Sequence, residues 1–238
     1  LRFGILSLMA LAMFAALLAL GTWQLNRLEW KENLIQTIER RIHQPPRPIE
    51  TWFKTEPGTD YWPVTVEGTF LHSGERHFFS TNDGQSGYDV ITPLEISPGA
   101  YIFINRGFVP FDRKDAANRL EGQVAGNVKI TGFARSILTQ KPSWLVPDNE
   151  PVKNIFYWKD FASMRDSAGL SAGSTVLDAL IDADKTPNPG GLPIGGTTII
   201  ELPNSHLQYA LTWYGLAAAL AAIWSVLAYR HLYSRRLT

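Results

Sequence analysis

The chain reads as two long uncharged runs enclosing a middle whose hydrophobic period changes from helical to strand-like. Residues 3–26 carry no formal charge over 24 positions, and residues 207–229 carry none over 23. A helix needs about 20 such residues to cross a hydrocarbon core of about 30 Å, so each run predicts a transmembrane helix, one within 1–26 and one over 207–229. The first run is too long for the apolar part of a signal peptide and shows no clear small-residue cleavage site, so it is expected to be retained. Ala12/Ala16, Ala15/Ala19, Gly215/Ala219 and Ala218/Ala222 have the spacing that lets helices approach closely, and direct packing of the two spans is expected.

After Trp23 the helical pattern continues through Leu28, Leu34, Ile35, Ile38 and Ile42 until Pro45, Pro46 and Pro48 stop it. This predicts a juxtamembrane helix over 27–43 with its apolar face on the domain that follows or, less commonly for a helix attached to its own domain, on a partner. From Tyr61 the period falls towards two. Val64, Val66 and Phe70, then residues 76–79, predict strands paired about a turn at His72-Ser73-Gly74. Residues 88–96 and 101–109 flank Ser97-Pro98-Gly99 and predict a hairpin, because proline presets its own φ and glycine tolerates φ > 0. Further strands are expected at 127–135, 174–181 and 197–202, and one helix through Tyr157, Phe161, Met164 and Ala168, ending at Gly169. Residues 182–196 are rich in proline and glycine and read as an exposed loop. The expected fold is therefore a membrane protein of α+β class. Two terminal transmembrane helices flank an antiparallel β-rich extracytoplasmic domain, residues 27–206, with one or two helices, and residues 230–238 form a tail.

Charge near the spans predicts orientation. Arg230, Arg235 and Arg236 follow the second run, while residues 186–206 before it contain no Lys or Arg, which places the C-terminus in the cytoplasm. Two spans return the N-terminus to the same side. Arg27, Lys31, Arg40 and Arg41 head a long segment, which weighs little in this rule. Trp23, Tyr209 and Trp213 mark one interface; Trp224, Tyr229 and Tyr233 mark the other. The middle domain is then expected in the periplasm of a bacterium, since no transit-like segment is visible, and the absence of an initiating Met predicts that a few residues precede Leu1.

Composition removes several classes of function. Lys+Arg and Asp+Glu are 22 each, so zero net charge gives no electrostatic reason to expect nucleic acid. With no cysteine there is no disulfide, thiolate metal site, Cys-x-x-Cys centre or covalent c-type haem, and with three Met the chain offers little to soft Cu(I). No nucleophile elbow, phosphate loop, dinucleotide fingerprint or His-Glu-x-x-His is present, and no enzyme is expected.

His206 stands at the entry of the second span, where helical spacing puts Tyr209, Ala210 and Trp213 on its side. Two readings remain open at this point. The imidazole ligates a metal or a haem iron, or it sits in interfacial water behind a helix cap at Asn204 or Ser205. His72 and His77, with Glu75 and Asp83, imitate a metal set but lack ligand spacing, and scattered turn residues explain them better. Arg106 closes a strand, where it either holds a propionate or a partner's carboxylate or, more commonly, satisfies carbonyls and structural acids.

Gly21-Thr22-Trp23-Gln24, then Gly87-Tyr88-Asp89-Val90-Ile91-Thr92-Pro93-Leu94, Asn105-Arg106-Gly107-Phe108-Val109-Pro110 and Asn204-Ser205-His206-Leu207-Gln208-Tyr209-Ala210-Leu211-Thr212-Trp213-Tyr214-Gly215 resemble, in this order, the surfeit locus family of cytochrome oxidase assembly factors. The resemblance implies an inner-membrane protein that binds haem a as cargo and assists its delivery to cytochrome oxidase subunit I. It makes His206 the axial ligand, with Trp23, Gln24, Tyr209 and Trp213 walling the same pocket. Haem a synthase and membrane lipid are further implied partners. The competing expectation is a scaffold that stabilises a subunit I intermediate without holding haem.

Overall fold

The computed structural model describes residues 2–56, 58–198 and 202–234. The chain divides into two units, Leu1–Thr37 with Glu201–Thr238, and Ile38–Ile200.

The first unit is a pair of helices. α1 (Arg2–Ile42) runs unbroken from the apolar run into the amphipathic stretch, so the expected span and juxtamembrane helix are one element. Nothing between Asn26 and Ile42 breaks a helix, and the prolines come only afterwards. α4 (His206–Ser234) begins one residue before its uncharged run. Both helices are long and apolar enough to cross a membrane. They run antiparallel: Phe3 stacks on Trp224 at 5.2 Å and on His231 at 4.0 Å, while Thr22 Oγ1 lies 3.0 Å from Tyr214 Oη. The alanine and glycine stripes expected at this seam instead face outward. Among the described residues of this unit, the buried positions are Leu17, Gly21 and Gln24 on α1 and Ala210 and Ala217 on α4. A Cβ on Gly21 would come within 2.8 Å of the Tyr214 ring, so the absence of a side chain there admits the tyrosine.

The second unit carries the sheet. β1 (Arg47–Pro48) and α2 (Ile49–Thr55) precede β2 (Trp62–Phe70), β3 (Arg76–Asn82), β4 (Gln85–Ser97), β5 (Ala100–Pro110), β6 (Asn127–Arg135), α3 (Phe161–Ser167) and β7 (Thr175–Ala183). Among the described residues, seven strands form one sheet in the order β1-β2-β6-β7-β5-β4-β3, and β2 also pairs with β4 through Thr69↔Glu95 and Phe70↔Leu94. That last pairing closes β2, β6, β7, β5 and β4 into a ring, which removes the edges of those strands. The sheet is mixed rather than purely antiparallel, because β5–β7 and β1–β2 are parallel.

Alternation along the strands splits the core in two. Ile102 and Ile104 of β5 face a cluster with Val64, Val66, Leu94 and Ile181, into which α2 drops Ile49 and Trp52. Phe103, between them, faces the other side, where Phe156, Phe161 and Met164 cover the sheet. β5 is thus buried on both faces, as its nearly continuous apolar run requires.

Several expectations are corrected here. β2 and β3 do not pair: His72–Gly74 is a 3-10 turn, β2 pairs with the distant β6, and β3 forms its hairpin with β4. Pro98-Gly99 does make the β4–β5 turn, with Gly99 at φ 74°. α3 starts at Phe161, because the Asp160 carboxylate accepts from the Ser163 N–H at 3.1 Å and caps it. The 182–196 segment is fastened rather than free, since Ile194 exchanges backbone hydrogen bonds with Phe108 at 2.8 and 2.9 Å and Pro193 is buried. Gly107, at φ 110°, has the Ile194 carbonyl where a Cβ would lie, so only glycine fits beneath this segment. The strand expected at 197–202 is not formed at Thr197, Thr198 or Leu202, and its middle, 199–201, lies outside the described residues, as do Arg235 and Arg236.

Residues 38–42 belong to this second unit, where Ile38 is buried and Arg41 donates to the Asp60 carbonyl at 3.3 Å with its guanidinium over Trp62.

Candidate functional site

α4 starts at His206 because the two preceding residues cap it. Asn204 Oδ1 accepts from the His206 N–H at 3.3 Å, and the Ser205 carbonyl accepts from the Tyr209 N–H at 3.2 Å. Both residues weighed as caps therefore take part. The cap fixes the rotation of the first turn, and from it the helical period carries His206, Ala210 and Ala217 along the seam.

On α1, Gln24 is buried one turn beyond Gly21. Its Oε1 lies 2.7 Å from Nδ1 of His206, a contact between residues 182 positions apart. Among the described residues no protein group partners Nε2 of the half-buried imidazole. Gln24 and His206, both expected at one site, are brought together, and Trp213 is half-buried further along α4. Trp23 and Tyr209 are instead 54% and 55% exposed, on the outer surface of the pair. An outward tryptophan and tyrosine near a half-buried histidine give an open, amphipathic rim with one ring nitrogen that no described protein group engages.

The sheet unit holds a different kind of cluster. Glu75 and His77 alternate on β3 and its approach, so both side chains point the same way. Glu75 Oε1 accepts from His77 Nε2 at 3.0 Å and also from Arg119, with both the carboxylate and the guanidinium buried. Burial pushes the Glu75 carboxyl up, but the hydrogen bonds from His77 and Arg119 outweigh it and hold the group below its usual range. His72 bonds the Val124 carbonyl at 2.8 Å, and burial lowers its imidazole. While the half-buried His72 is held separately by a backbone carbonyl, Glu75, His77 and Arg119 are an ordered buried network rather than scattered turn residues. The alternation of Glu75 and His77 was the one legible signal for it; Arg119 arrives from 44 positions away. Asp83 is an exposed turn residue apart from them.

Arg106 is buried at 2% exposure, donates to the Gly122 carbonyl and, at 3.2 Å, to Asn188 Oδ1, and lies over the Phe70 ring. It ties two loops to β5, as the commoner reading of a strand-end arginine has it, and burial brings it down to about 10. Asp182 is held by Arg135 at 2.9 Å, Asn105 at 2.9 Å and Lys159 at 3.5 Å. Beside it, burial pushes Asp89 up to about 6 against the pull of Lys159.

The fold and this site define a class: two antiparallel apolar helices, a mixed-sheet unit that lies between them in the sequence, and a histidine at the first turn of the second helix. The chain belongs to the SURF1 family, whose model matches residues 11–218. It is similar to Surfeit locus protein 1 of Xenopus tropicalis, 38% identical over 226 residues, which cover 88% of this chain and 71% of that protein. Surfeit locus protein 1 of Homo sapiens is 36% identical over 223 residues, covering 86% and 71%. A SURF1-like protein of Monosiga brevicollis is 38% identical over 217 residues, covering 86% and 80%.

Proposed function

We propose that this protein is a membrane-anchored assembly factor for a haem-copper cytochrome oxidase, which holds haem a as cargo at His206 and assists its delivery to subunit I. The observation that carries this reading is the pairing of His206 Nδ1 with Gln24 at 2.7 Å, which engages one ring nitrogen and leaves Nε2 as a ligating atom on an amphipathic rim. Family membership supports the oxidase as client, and haem a synthase is the proposed source of the cargo. The role is carriage rather than catalysis. A single nitrogen from a half-buried side chain holds haem exchangeably, so the oxidase's own ligands can take it over.

In this reading α1 and α4 span the bacterial inner membrane, both termini are cytoplasmic and the sheet unit is periplasmic. Arg230 beyond the apolar run and the absence of Lys and Arg from 186–206 support that orientation. A reporter active only outside the cytoplasm is expected to work when inserted near Asn188 and to fail when fused after Thr238; the reverse result overturns the topology. The cargo is tested by the optical spectrum of detergent-purified protein from cells that make haem a. A Soret band at about one haem per chain is expected, and purified protein without haem would favour a scaffold that carries none.

A further inference from the structure

We infer that Gln24 is a positioning residue that fixes His206 in the tautomer with its proton on Nδ1 and its lone pair on Nε2. The inference rests on the haem-carrying reading only for its consequence; the tautomer stands on the helix pair alone. A neutral imidazole has one donor nitrogen and one acceptor, and whatever bonds the first decides what the second can do. Gln24 presents its carbonyl oxygen, an acceptor, to Nδ1 at 2.7 Å. Nδ1 must then carry the proton, and Nε2 keeps the lone pair a metal ion needs. An amide turned the other way would donate to Nδ1 and place the proton on Nε2, which would close the ligating position.

The surroundings hold this arrangement in place. Gln24 is only 9% exposed, and its α1 neighbour Gly21 lies against Tyr214, whose hydroxyl is 3.0 Å from Thr22. The Asn204 and Ser205 cap sets the phase of His206 on α4. Two helices distant in sequence are thus locked in register beside the hydrogen bond. A partner that orients a histidine and raises its donor strength typically changes metal affinity by about 10–100-fold, although it never touches the metal. The Gly21-Thr22-Trp23-Gln24 stretch then serves the site through Gln24, while Trp23 faces outward.

The test uses the full chain, free of haem, in lipid nanodiscs with ¹⁵N-labelled histidine at about pH 8, above the ordinary histidine pKa of about 6.5. The His206 signals are identified by their loss in His206→Ala. A proton on Nδ1 with an unprotonated Nε2 is expected in the wild type. Gln24→Leu is expected to lose that preference and to retain haem about tenfold less tightly, whereas Gln24→Glu, which keeps an acceptor, retains both. A proton on Nε2 in the wild type, or an unchanged tautomer in Gln24→Leu, overturns the inference. The expected tautomer in a protein that takes up no haem would overturn the proposed cargo and leave the inference standing.

Discussion

Trp52 in the sheet unit is 2% exposed, inside a core with Val64, Leu94 and Ile104, whereas Trp23 on α1 is 54% exposed. The two tryptophans mark two ways of using apolar surface. The sheet unit closes a ring of strands over its own core and pairs some of its buried charges internally, with Glu75 against Arg119 and Asp182 against Arg135. The helix pair buries a thin seam, leaves most of its large apolar side chains outward, and joins its two helices through a hydrogen bond between Gln24 and His206. Stability is thus built into the first region, and the proposed exchangeable binding is assigned to the second. A site that must release its cargo is better placed where little packing depends on it.

The largest effect that would break this comparison comes from separating the regions. A residue 27–206 fragment is expected to fold, with native near-UV circular dichroism and a cooperative thermal transition, and to bind no haem. A fragment carrying stoichiometric haem would move the site into the sheet unit. Next in size, Trp52→Ala removes the side chain that α2 inserts in the core and is expected to cost about 3–5 kcal/mol in denaturant unfolding. Haem per folded molecule should not change, and a parallel fall would show that the regions are coupled.

A smaller effect concerns pH. Asp89 stands at about 6 in the folded protein against an ordinary 3.8, so the folded state binds its proton more tightly than the unfolded chain does. Its contribution therefore favours folding at low pH, declines as pH rises from about 4 to about 6, and is lost above that. Asp89→Asn is expected to remove this slope and to raise stability at pH 7 by up to about 3 kcal/mol. Urea titrations of both proteins across pH 4–8 check it, and an unchanged slope would place the burial penalty elsewhere.

What the sequence made legible was local. The β6 strand was read at 127–135, and the β4–β5 hairpin was found because Pro98-Gly99 supplies its own turn geometry. The partners of β2 and the parallel β5–β7 pairing were not legible, since nothing local in β2 names β6 and the turn at His72–Gly74 imitates a hairpin. α2 was missed because it is two turns long and follows a run of prolines. At the site, His206 was visible from its place at the end of an uncharged run, and Gln24 from membrane level alone. Their hydrogen bond depends on helix rotation, which the misread alanine stripes left undetermined.

The proposed ligand lies on the helix pair, and the most direct measurement compares histidines in the two regions. Wild type, His206→Ala and a His72→Gln/His77→Gln double variant would be purified side by side from cells making haem a, and haem per folded chain measured from the reduced Soret band. Near-complete loss of haem is expected in His206→Ala, with membrane insertion and thermal stability kept, and wild-type haem per folded chain in the double variant. Equal haem with an unshifted band in His206→Ala, or loss confined to the double variant, would contradict it.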